Sequence, residues 1–205
     1  MTVFIDMTVS LDGVAAGPEV GLSHPLGIGG GRLHRWIGMG GDQDIDDPPA
    51  RAGEPDGIDA AAAAAMFEGT GAFVMGRTMF DVGIDLWGPD GAFGVPAFVV
   101  THRAEPVLVR GATTFTFVTE GLETAVHWAR DAAQGRDVCI AGGPTLADAA
   151  LRAGLVDELV LHVVPVLFGE GTRLFEDGPL HRVELMPLAT TQTAAATHQR
   201  YAVLR

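Results

Sequence analysis

Four short apolar runs in this chain each end on a turn where a ligand could sit, and three of these turns carry residues suited to hold an anion. Val138 to Ala141 runs into Gly142-Gly143-Pro144-Thr145-Leu146. Two glycines let a ligand approach the backbone closely, and Pro144 suits the first turn of a helix. The unpaired N–H groups of such a turn, with the helix dipole, can seat a phosphate. The same pattern can also be a plain tight corner. Met75-Gly76-Arg77-Thr78 and Thr101-His102-Arg103 follow two further apolar runs, and Ser10-Leu11-Asp12-Gly13 follows the first. Only 13 residues of the chain are Lys or Arg, yet Arg77 and Arg103 stand at two of these ends. Arginine suits bidentate phosphate recognition, although ordinary surface charges would look the same. Ligands of open α/β sheets bind at the carboxyl ends of strands. An anion spread over several ends fits a dinucleotide better than a single phosphate. Asp12 is first an Asp-Gly turn residue. As a proton donor to a bound compound it competes with ordered water.

Other chemistries are excluded by what is missing. No Gly-x-Gly-x-x-Gly follows the first strand, and no Walker phosphate loop is present. The histidines show no metal-ligand spacing, so no metal is expected, and His162 in an apolar run reads as structural. No Gly-x-Ser-x-Gly elbow supports a hydrolase. Cys139 is the single cysteine and reads as a small buried hydrophobe. With 26 acids and a net charge of −13, no basic surface exists to follow a nucleic acid. No apolar run approaches the ~20 residues that cross a bilayer. The expected location is the cytoplasm.

The elements that position these ends alternate. Strands are expected at 2–10, 72–75, 97–101, 114–118, 138–141 and 157–166. Helices are expected at 32–37, 58–69, 122–134 and 145–153, with a helix start after the turn at 76. That order predicts a three-layer αβα domain over 1–205 with a mixed, mostly parallel sheet. Two final β-rich segments, 182–188 and 196–204, have no helix between them and predict an antiparallel C-terminal edge. Residues 17–57 are rich in Gly, Asp and Pro and read as a long loop, solvated in its acidic part at 42–57.

Met75 to Thr78, Val99 to His102, Ile140 to Leu146, Gly154 to Leu159 and Val164 to Phe175 stand in the order and spacing of one superfamily. The chain resembles the dihydrofolate reductase-like proteins, most of all the reductase domain of the bifunctional riboflavin-biosynthesis deaminase-reductases. The resemblance implies NADPH as cofactor. Gly76, Arg77 and Thr78 match a phosphate-holding turn. Thr101, His102 and Arg103 match the loop beside the 2′-phosphate. Ala141, Gly142, Gly143, Pro144, Thr145 and Leu146 match the pyrophosphate turn, with a cis bond between the two glycines. Ser10 and Asp12 would border the nicotinamide side, and Leu33, Trp36 and Phe80 the substrate side.

Two departures narrow the substrate. Leu33 stands where a dihydrofolate reductase carries its pterin-binding acid, and Ala141 where the riboflavin-pathway reductases carry a glutamate. No deaminase half, with its zinc ligands, is expected within these 205 residues. The expectation is an NADPH-dependent reductase of a small pyrimidinone-, pterin- or carbonyl-like compound, other than classical dihydrofolate reduction. The alternative is a nucleotide- or drug-binding module without turnover. A homodimer is expected, paired through C-terminal sheet edges, with the apolar run at 160–167 in need of cover.

Overall fold

The computed structural model describes residues 1–38, 57–175 and 182–204. The acidic stretch at 42–56 lies outside them. In chain order the strands are β1 (Val3–Ser10), β2 (Val14–Ala16), β3 (Thr70–Gly76), β4 (Ala97–Val100), β5 (Leu108–Arg110), β6 (Thr113–Val118), β7 (Asp137–Gly142), β8 (Glu158–Val164), β9 (Thr172–Arg173), β10 (Glu184–Gln192) and β11 (Thr197–Leu204). The helices are α1 (Gly57–Ala65), α2 (Arg77–Gly83), α3 (Leu122–Ala132) and α4 (Pro144–Arg152), with a 3-10 helix over Gly30–Ile37.

Nine strands form one sheet in the order β10-β11-β8-β1-β7-β3-β4-β6-β5. The six from β8 to β6 run parallel, so their carboxyl ends share one edge. Both outer edges are antiparallel. The C-terminal one is as the sequence predicts. The β5 edge was not expected, because a three-residue strand carries almost no periodic signal.

β1 lies inside the sheet, between β8 and β7, and every one of its residues is buried. Its two faces differ, as a period of two requires. Val3, Ile5, Met7 and Val9 pack into one core with Ala125, Val126 and Ala129 of α3 and Ala147, Ala150 and Leu151 of α4. Those helical residues recur at three- and four-residue spacing, which is why each helix lays a single stripe on the sheet. The other face turns Phe4, Asp6, Thr8 and Ser10 toward the 3-10 helix, α1 and α2. Helices on both faces make the three layers. Gly71 marks how closely α3 approaches: a Cβ there would lie 2.6 Å from the Ala133 carbonyl oxygen.

Three sequence expectations need correction. The helix expected over 58–69 ends at Ala65 and continues as turns to the strand at Thr70. The segment expected as a strand over 182–188 runs from Glu184 to Gln192, because pairing with β11 extends it through Thr190 and Thr191. The run at 160–167 does not lack cover. β8 lies between β1 and β11, Val164 packs with Trp36 and Ala196, and Leu167 is the strongly exposed member. A run of uncovered apolar side chains lies on β10, whose nine residues are all exposed.

Candidate functional site

The six parallel strands deliver the four predicted ends, and two more, to one edge. In sheet order these are the turn after β8, Ser10 to Gly13 after β1, Gly142 to Leu146 after β7, Gly76 to Thr78 after β3, Thr101 to Arg103 after β4, and Thr119 to Gly121 after β6. Four adjacent ends, from β7 to β6, span about 14 Å at the usual strand spacing.

The β7 end is built around a cis peptide bond between Gly142 and Gly143. Pro144 opens α4, and Gly143 precedes it in an extended conformation without a side-chain cap. A Cβ on Gly143 would meet no atom within 4 Å, so the turn faces open space. The β3 end lies directly against it: a Cβ on Gly76 would sit 3.6 Å from the Gly143 nitrogen. Beside them a cavity of about 240 Å³ is lined by Arg77, Val100, Thr101, His102, Arg103, Thr119 and Gly121. Thr101 is buried and its hydroxyl accepts from the Arg103 N–H at 3.1 Å, which folds the turn after β4. Thr78, His102, Arg103 and Thr145 are exposed around the cavity and turn.

Neither arginine stands alone. Arg77 Nε donates to Asp81 at 2.7 Å and Nη1 to Glu105 at 2.5 Å, while Arg103 Nη2 donates to Asp81 at 3.0 Å. Partial burial pulls the Arg77 guanidinium down, but the hydrogen bonds to Glu105 and Asp81 outweigh it and leave its pKa raised. Its plane lies 5.5 Å from the ring centroids of both Phe80 and Phe117. Two cations and two carboxylates therefore form a neutral cluster at the cavity. Asp81 and Glu105 escaped sequence reasoning. Asp81 stands four residues after Arg77 on α2, a spacing that signals an ion pair; Glu105 carries no local signal.

Asp12 is clasped. Its carboxylate accepts from the Ser10 hydroxyl at 2.6 Å and from the backbone N–H groups of Phe168 and Gly169 at 3.0 and 2.8 Å. The Ser10 hydroxyl, then the two backbone donors, hold its pKa far below the usual carboxylate range. A carboxylate held ionised has no proton to give, so this geometry speaks for a tie between the turns after β1 and β8. The Ser10 hydroxyl is also used up, because it accepts from the Val14 N–H at 2.9 Å.

The residues expected on the substrate side divide. Leu33 and Trp36 are buried together on the 3-10 helix. Phe80 belongs elsewhere, in an aromatic floor with Phe115 and Phe117 beneath Arg77. It sits three residues after Arg77 on α2, and that helix packs over the β4 and β6 side. Trp36 instead lies on two buried histidines, His162 and His198, at ring-centroid distances of 4.2 and 5.0 Å. Sequence reasoning missed this pair. The signal was in β1, where Asp6, Thr8 and Ser10 alternate in a fully buried strand and must find polar partners.

Residues 1–198 match the RibD C-terminal domain family. The chain belongs to that family. It is a family of reductases, and the solved structures agree on the fold. A Shewanella protein provisionally assigned to riboflavin biosynthesis superposes with a TM-score of 0.69 at 18% identity, each chain covered in full. A pyrimidine reductase-like protein from Corynebacterium diphtheriae gives 0.62 at 14% identity, covering 100% of this chain and 92% of that one. Dihydrofolate reductase from Enterococcus faecalis, complexed with NADP(H), gives 0.54 at 13% identity, with 98% and 96% covered. No curated protein matches the chain. Among the described residues no helix is long and apolar enough to cross a membrane.

Proposed function

We propose that this member of the RibD C-terminal domain family is an NADPH-dependent reductase of a small heterocyclic or carbonyl compound. One observation supports the reading: of four adjacent strand ends, one carries an open glycine turn at a helix N-terminus, and the next two carry the arginines that line a cavity beside it. The residues present fit the cofactor, because Gly143 faces open space and the cavity wall holds Arg77, Thr101, His102 and Arg103. In this reading the N-terminal turn of α4, from Gly143 to Leu146, holds the pyrophosphate. Gly76, Arg77 and Thr78 join it from β3. Arg77, Thr101, His102 and Arg103 select the 2′-phosphate. When bound, the nicotinamide supplies the hydride, and the protein supplies orientation and charge.

The substrate side lies at the β1 end of the same sheet edge. Leu33 and Ala141 keep both positions apolar, which argues against a pterin or a ribosylamino-pyrimidine held by an acid there. The chain acts as a homodimer paired through β10, whose Leu185, Met186 and Leu188 are exposed on an open edge. The test is a titration with NADPH followed by fluorescence, then a screen of NADPH oxidation with pterins, pyrimidinones and quinones. Binding with oxidation of one class supports the reading. No binding below millimolar concentration overturns it, and binding without oxidation of any class favours a sequestering module.

A further inference from the structure

Four buried side chains from four elements form an unbroken hydrogen-bonded chain on the Trp36 side of the sheet. Asp6 of β1 meets His162 of β8, Oδ1 to Nε2, at 3.1 Å. His162 meets His198 of β11 through their Nδ1 atoms at 2.7 Å. His198 Nε2 meets Asp59 Oδ1 of α1 at 2.8 Å. The Thr193 hydroxyl donates to the same Asp59 oxygen at 2.9 Å. Trp36 covers the two rings and fixes itself by donating its indole N–H to Thr8 Oγ1 at 3.1 Å. His34 is a further titratable group of the 3-10 helix on this side. Burial holds it below the usual histidine range, the Gly30 carbonyl offsets this in part, and the charge of His162 adds to the lowering. Among the described residues no group of three or more His, Cys, Asp or Glu is arranged to hold a metal.

Buried polar groups must be paired, and pairing here fixes the proton count. Each of the three contacts needs one proton. If both rings carried a proton only on the Nε2 that faces a carboxylate, two lone pairs would oppose each other at 2.7 Å. One more proton therefore lies between the rings. With three protons the chain can hold a protonated Asp59 and an ionised Asp6, or the reverse. The two arrangements differ only by each proton crossing its own contact, with no heavy atom displaced.

We propose that Asp6, His162, His198 and Asp59 form a proton relay that supplies, at the Asp6 carboxyl, the proton taken up when a bound compound is reduced. This rests on the reductase reading above. Asp6 is the delivering end because it is the more exposed terminus, 9% against 2% for Asp59. It also shares its β1 face with Thr8 and Ser10, which lead to the edge where the cofactor turns lie. Asp12, held ionised, leaves that role open. The balance is simple. The double bond of the acceptor gains a hydride, which oxidises the nicotinamide by two electrons, and a proton from Asp6. Asp6 is loaded beforehand: His162 Nε2 gives to Asp6, His198 Nδ1 to His162 Nδ1 and Asp59 to His198 Nε2, and after delivery one proton from solvent refills the emptied Asp6–His162 contact. Asp6 is the catalytic residue; His162, His198 and Asp59 are positioning residues.

The test begins on ligand-free protein labelled with 15N-histidine. A relay predicts one low-field proton between the two rings, and Asp6→Asn shifts the ring nitrogens of both His162 and His198. A change confined to His162 overturns the relay. Asp59→Asn asks the same question from the other end, should Asp6→Asn not fold, and must then move the His162 resonances. With an acceptor from the NADPH-oxidation screen, Asp6→Asn lowers kcat at least tenfold at unchanged KM for NADPH; an unchanged kcat overturns the proposal. NADPH binding is measured separately by fluorescence. Failure there removes the reductase reading, whereas failure of the two rings to respond together removes only the relay.

Discussion

Arg77 and Glu105 lie 28 residues apart and meet at the wall of the candidate cofactor cavity, Nη1 to Oε1 at 2.5 Å. Glu105 thus occupies a donor that a phosphate would need. Half-exposed ion pairs are worth about 0–1 kcal/mol, so the carboxylate is a weak competitor. Removing its charge frees the guanidinium. Glu105→Gln should tighten NADPH binding by about two- to fivefold and leave NADH unchanged, measured by calorimetry.

Arg77 itself should behave in the opposite sense. A hydrogen bond to a charged group is worth about 1.5–3 kcal/mol. Arg77→Ala should weaken NADPH by about ten- to a hundredfold and NADH far less. Equal losses for both cofactors would contradict the assignment of Arg77 to the 2′-phosphate.

The cofactor end was legible because its signals are local. Glycine pairs, Pro144 at a helix start and an arginine just after an apolar run each have meaning within five residues. The same locality explains the α3 and α4 stripes. The Asp6–His162–His198–Asp59 chain was not legible. Its members are separated by 139 residues at the His198–Asp59 contact and by 156 at the His162–Asp6 contact, and each alone is one polar residue in an apolar element. Only the pairing of β8 with both β1 and β11 brings them together. The contacts of Phe80 were not legible for a related reason: its helix was foreseen, but which side of the sheet edge it covers depends on strand order.

The open β10 edge predicts assembly. Leu185, Met186 and Leu188 are exposed at 37%, 48% and 46%, and an exposed edge strand pairs readily unless charged. The double substitution Met186→Lys and Leu188→Lys should convert a dimer to a monomer in size-exclusion chromatography with light scattering. A wild-type chain that elutes as a monomer would dismiss the β10 interface.

Gly71 tests how closely α3 packs on β3. A Cβ at this position would meet the Ala133 carbonyl oxygen at 2.6 Å and the Ala133 Cα at 2.8 Å. Both are backbone atoms and cannot swing aside. Gly71→Ala should therefore cost about 1–3 kcal/mol, the usual penalty of overpacking, read by urea denaturation. An unchanged midpoint would mean that α3 can shift away from β3.

Asp12 gives the pH dependence. The Ser10 hydroxyl and the N–H groups of Phe168 and Gly169 depress its pKa in the folded chain. The unfolded state, with a carboxyl near pKa 3.9, therefore binds its proton at higher pH than the folded state does. Linkage then fixes the sign: stability from Asp12 is complete above the unfolded value and is lost as pH falls toward the folded one. Asp12→Asn keeps one acceptor oxygen but sets its NH2 against one of the two backbone donors. The variant should melt below the wild type at pH 7. The gap between them should narrow progressively as pH falls from about 4. A gap that stays constant down to the lowest pH at which both remain folded would show that the carboxylate charge does not tie the β1 and β8 turns together.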